Sequence, residues 1–188
     1  MARQCSDRIL RNILDAGGDV HDRDSEGCNA LFFAVGSNHL RNVELLVQHG
    51  ADVNGSGQPT TPLIEALLNA PDAKDVLYLL AQGADPNGLS PEGDSPLMEA
   101  AGFNRLEELR ALLRSGARVN LRGPEGQTAI MWAAEQGHIQ ATTILLKAGA
   151  DVTLRDKDGK TAGDHASVNG QQEVARFLRN DRTHGVNY

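Results

Sequence analysis

Residues 126–156 read GQTAIMWAAEQGHIQATTILLKAGADVTLRD. A polar turn leads into Thr128 and a small-residue helix around Ala133-Ala134, which ends near Gly137-His138. A second apolar run, Ile144-Leu145-Leu146, stops at Gly149-Ala150-Asp151-Val152. The same stop recurs upstream: Gly116, Gly83 and Gly50 are each followed by Ala, and Gly17 by Gly18, always at a spacing of 33 residues. A single helix–turn–helix unit cannot bury its own apolar face. A fixed period of this length therefore implies stacked units that share a continuous core.

Three units open on related hexapeptides: Thr61-Pro62-Leu63-Ile64-Glu65-Ala66, Ser95-Pro96-Leu97-Met98-Glu99-Ala100 and Thr128-Ala129-Ile130-Met131-Trp132-Ala133. These resemble the Thr-Pro-Leu-His-x-Ala box of the ankyrin repeat family, and the resemblance covers nearly the whole chain in about six units. It implies an all-α, ankyrin-type helix-turn-helix solenoid with short β-hairpin finger loops. On this reading residues 1–180 form one repeat domain. Its parts are a cap at 1–24, repeats at 25–56, 57–90, 91–122 and 123–156, and a cap at 157–180, followed by a flexible tail at 181–188.

The ends and the middle depart from the pattern. The first unit has little room for an inner helix; Arg8 to Ala16 is predicted as an outer helix, with Arg3, Gln4, Asp7, Arg8 and Arg11 as polar cover. The third unit is one residue short on its approach, at Gly55 to Thr60, and one residue long at Asn69 to Ala73. Pro71 marks the turn there, because proline inside a helix removes a hydrogen bond and clashes. The sixth unit places Gly163 and Asp164 where apolar residues are expected, as suits a polar cap.

Composition narrows the function classes. Hydrophobic residues make up 40% of the 188 and aromatics only 4%, which suits a core of Leu, Ala, Val and Ile between thin helices. Net charge is −7, with 18 Lys and Arg against 25 Asp and Glu, and no basic stripe stands out; nucleic-acid binding is disfavoured. No apolar run reaches the roughly 18–20 residues needed to span a bilayer, and no secretory signal opens the chain. Cys5 and Cys28 have no companions at zinc-ligand spacing. They read as free thiols of a reducing, cytoplasmic compartment, with a disulfide between neighbouring repeats as the alternative.

No residue set makes a catalytic, metal or cofactor site. Gly55-Ser56-Gly57 precedes Pro59 and lacks the remainder of a dinucleotide fingerprint. Asp164 and His165 are adjacent, and helix neighbours point apart. His39 and His138 start outer helices, where each is expected to close a turn hydrogen bond. Asn54, after Asp52-Val53, resembles ankyrin asparagines that are hydroxylated.

The ankyrin resemblance places the residue two after the box leucine in a concave groove: Phe33, Glu65, Glu99, Trp132 and His165. Further along the inner helices it places Leu68, Phe103, Glu135 and Gln136. The groove reads as acidic and partly apolar, suited to a basic or amphipathic partner protein. The finger tips at Asp24-Ser25-Glu26, Gln58-Pro59, Pro91-Glu92, Pro124-Glu125 and Lys157-Asp158 form a second candidate surface. The expected function is a non-catalytic, monomeric protein–protein interaction module, in its sharper form an inhibitor or immunity protein. The alternatives are a scaffold or adaptor and a self-associating structural protein.

Overall fold

A computed structural model of the chain describes residues 10–37, 39–55, 60–70 and 72–184. The expectations for the cap residues before residue 10, for Gln58-Pro59 and for Pro71 lie outside these residues. Contacts divide the chain into two units, Met1–Gly88 and Leu89–Tyr188.

The first unit contains α1 (residues 10–15), α2 (Ala30–Gly36), α3 (Leu40–Gln48), α4 (Pro62–Asn69) and α5 (Lys74–Ala81). The inner helices α2 and α4 pack side by side, and the outer helices α3 and α5 pack behind them. The second unit contains α6 (Pro96–Gly102), α7 (Leu106–Arg114), α8 (Ala129–Glu135), α9 (Ile139–Lys147), α10 (Ala162–Val168) and α11 (Gln172–His184). There α6, α8 and α10 form the inner row, and α7, α9 and α11 the outer row. The last helix runs on to His184, past the expected boundary at 180.

Local sequence starts each inner helix. The Asn29, Thr61, Ser95 and Thr161 side chains accept from the backbone N–H three residues on, which satisfies one of the orphan donors of the first turn. Pro62 and Pro96 occupy the first helical position, where no N–H is needed. Thr128 is the exception: its Oγ1 is buried without a hydrogen-bond partner.

The Gly-Ala stops end the outer helices by one repeated geometry. Gly50, Gly83, Gly116 and Gly149 have φ of 94°, 90°, 92° and 89°, in the left-handed region that glycine enters without a Cβ clash. The following alanine N–H then donates to the carbonyl of Leu46, Leu79, Leu112 or Leu145 at 3.0 Å, the closure of a Schellman motif. These leucines are themselves buried, so the stop and the core are tied to the same residue.

The core follows from the short inner helices. Ala100, Ala133 and Ala166 occupy one position in α6, α8 and α10 and are fully buried, so the helix backbones can approach closely. Leu63, Leu97 and Ile130 fill the space between inner and outer rows. The connecting turns differ from the expected hairpins: among the described residues the only strand pairing is an isolated antiparallel bridge, Arg23–Asn29. In the turns Asp24–Cys28, Ser90–Asp94, Gly123–Gln127 and Asp156–Lys160, the first N–H donates to the carbonyl of the last residue.

Asparagines join successive turns. Asn54 Oδ1 accepts from the Asp85 N–H, and Asn120 Oδ1 from the Asp151 N–H, both at 2.8 Å. The amide oxygen of Asn54 thus has a structural role that its spacing alone did not indicate.

One outer-helix position is anomalous. Counting in steps of 33, it holds Asn42, Asp75, Glu108, Ala141 and Val174. Asp75 is 0% exposed and neither of its carboxylate oxygens has a hydrogen-bond partner. Burial, then the nearby Asp72 charge, pushes its carboxyl up from 3.8 to about 6. A carboxyl raised on folding stabilises most below its ordinary range, and that contribution is lost as pH rises through about 6. Replacing Asp75→Val, the residue used at the equivalent Val174, is expected to stabilise the protein by about 1–3 kcal/mol near neutral pH. Urea unfolding at neutral and mildly acidic pH checks this: the gain should shrink as the wild-type carboxyl is protonated.

Candidate functional site

Each inner helix presents the side chain four residues after its N-cap along one face. In the first unit these are Phe33 and Glu65; in the second they are Glu99, Trp132 and His165.

Phe33 is 53% exposed and meets Phe32 edge-on at 5.6 Å between ring centroids. Glu65 is half-buried and accepts from the Asn69 amide at 2.8 Å. Burial raises its carboxyl and the Asn69 bond opposes this. Leu68, one turn on, is exposed.

In the second unit Trp132 is half-buried and its indole N–H donates to Gln127 Oε1 at 3.0 Å. Its ring lies against Gly102 at the end of α6, where an added Cβ would meet Cε3 at 2.9 Å. The ring therefore bridges two neighbouring inner helices and still borders a cavity of about 270 Å³ lined by Gln127, Trp132, Glu135 and Gln136. The carbonyl of the same Gly102 lies 2.9 Å from His138 Nε2. His138 thus links two repeats instead of closing its own turn, and it makes no capping bond to α9. Phe103, next along, is 59% exposed.

Glu99 is largely enclosed, at 8% exposure. Burial raises its carboxyl, and Asp94 and Glu92 raise it further by like-charge repulsion.

His165 is drawn inward, at 6% exposure, instead of standing open in a groove. Its Nε2 lies 2.7 Å from Asp156 Oδ2, and its Nδ1 lies 3.6 Å from Glu135 Oε2 on α8. Burial alone would raise the Asp156 carboxyl. Hydrogen bonds from the Lys160 N–H and His165 outweigh burial and hold it below its ordinary value. Adjacent Asp164 turns away to form a capping box with Thr161. The pair of neighbours thus does not act together, and His165 serves as a brace between α8, α10 and a turn.

Gln136 is exposed at the end of α8, and Val168 at the corresponding end of α10. Gln127, immediately before the α8 N-cap, also belongs to this face through its bond to Trp132; Asp94 and Lys160 hold the equivalent positions in the 33-residue spacing, five before Glu99 and His165. Cys28 is a buried free thiol, and Cys5 lies outside the described residues. Among the described residues no group of three or more His, Cys, Asp or Glu could hold a metal ion, and no helix is long and apolar enough to cross a membrane. Substituting Gly102→Ala is expected to lift the Trp132 ring off α6 and shift the emission of this single tryptophan, with helical circular dichroism retained.

No match is found among curated proteins. A family model described as ankyrin repeats (3 copies) matches residues 1–90, 72–156 and 97–188. Ankyrin repeats generally mediate protein–protein interaction. The matched segments together span the chain, and the protein belongs to the ankyrin repeat family.

Proposed function

We propose that this protein is a non-catalytic interaction module that holds a partner protein against its inner-helix face, with the connecting turns as a second contact. The observation that carries the reading is Phe103 at 59% exposure, next in the chain to Gly102, against which the Trp132 ring lies. Large apolar side chains left open next to an aromatic ring lose nothing by being covered, and buried aromatics dominate most interface energies. Glu65, Glu99 and Glu135 add negative charge along the inner helices, which favours a basic or amphipathic partner.

In its sharper form the partner is an enzyme, and binding occludes its active site as an inhibitor or immunity protein would. This version places the protein in the same compartment as that enzyme, the cytoplasm on the reading of its thiols.

Affinity capture from source-cell extract tests the reading. Phe103→Ala and Trp132→Ala are each expected to weaken capture of a specific partner by about 2 kcal/mol, roughly thirtyfold. Phe103 is the cleaner variant, because its ring packs little. A partner retained equally by both variants moves the interface to the connecting turns. Turnover of the captured partner, with and without the protein, separates inhibition from scaffolding.

A further inference from the structure

We propose that Glu99 and Trp132 form a socket for a lysine or arginine side chain of the partner; this rests on the interaction reading above. Glu99, Gly102 and Phe103 stand at positions i, i+3 and i+4 of one helical segment, and so share a face. The Trp132 ring lies against Gly102. The carboxylate is therefore one helical turn from an aromatic ring, with Phe103 at the rim.

Glu99 is the group that calls for a ligand. It is 8% exposed, and no hydrogen bond or cation acts on its carboxylate among the described residues. The charged groups that act on it are Asp94 and Glu92, both of its own sign. A carboxylate in this position has lost most of its water without gaining a counter-charge, and desolvated charge of this kind is unfavourable until a partner supplies the opposite sign.

The surroundings select the chemistry of that partner. An anion is repelled by Glu92, Asp94 and Glu99. A neutral apolar side chain covers Trp132 and Phe103 but leaves the Glu99 charge more isolated than before. A lysine or arginine satisfies both demands: its cationic head pairs with the carboxylate and the aromatic ring attracts the same charge. Its aliphatic stem packs on exposed Phe103. A bare metal ion is a poor fit, since no metal-holding group of residues exists here among the described residues.

The chain has a single tryptophan, so its emission reports on this socket alone. The full chain is titrated with two pools of random peptides that differ only in the central residue. One carries arginine or lysine; the other carries their neutral counterparts, citrulline or acetyl-lysine. The cationic pool should perturb Trp132 and bind about tenfold tighter than the neutral pool, as hydrogen bonds to charged groups do. Glu99→Gln, with folding checked by circular dichroism, should abolish that preference. The comparison of pools on the wild-type chain needs no variant, so misfolding of Glu99→Gln would not spoil the test. Equal perturbation by both pools overturns the socket and leaves the inner-helix face standing as the binding surface. Peptide binding that leaves Trp132 emission unchanged and resists Phe103→Ala overturns both. Silence from both pools overturns the socket, and the capture experiment then decides the wider reading by itself.

Discussion

An inner helix of seven residues has too little surface to bury its own apolar side, and every other feature of this protein follows from that shortage. Helices such as α6, α8 and α10 are at most two turns long. Isolated helices of that length do not persist in water. They persist here because a neighbour covers each of them, and the neighbour is built to the same plan. Alanines at the contact positions let the backbones come close. Leucine and isoleucine then fill the layer between inner and outer rows.

Such a design separates stability from recognition. Positions facing the neighbouring helix and the outer row are committed to packing. The position four residues after each N-cap is not, and it varies freely: phenylalanine, glutamate, glutamate, tryptophan and histidine. Each of these residues finds a different compromise. Phe33 remains open and Trp132 bridges to α6; His165 turns inward to Asp156 and Glu135. Glu99 is enclosed without a counter-charge. On the binding reading proposed above, Glu99, without a counter-charge, and Phe103, left open, stand apart from His165, which is already paired.

Buried polar groups show the same separation on the outer side. Glu108 has Arg105 within 3.4 Å, whereas Asp75 has no hydrogen-bonding partner at the equivalent position. Both lie where the last two units use Ala141 and Val174. Nothing in the structure explains why a carboxylate occupies position 75.

The repeat itself was determined by sequence alone. The 33-residue spacing of Gly-Ala stops, the Thr/Ser-Pro starts and the apolar runs between them are local signals, and each acts through its own backbone: a left-handed glycine, an N-cap, a first-turn proline. That is why helix positions and family could be read directly. The surface could be assigned only by position. Whether a side chain at a groove position stays open depends on atoms 30 or more residues away, such as Gly102 beneath Trp132 or Glu135 beside His165. The connecting turns likewise closed on single backbone bonds, with one isolated bridge at Arg23–Asn29 among the described residues, instead of ladders. Periodicity places a residue on a face; only the tertiary neighbours decide whether its charge or ring is already satisfied there.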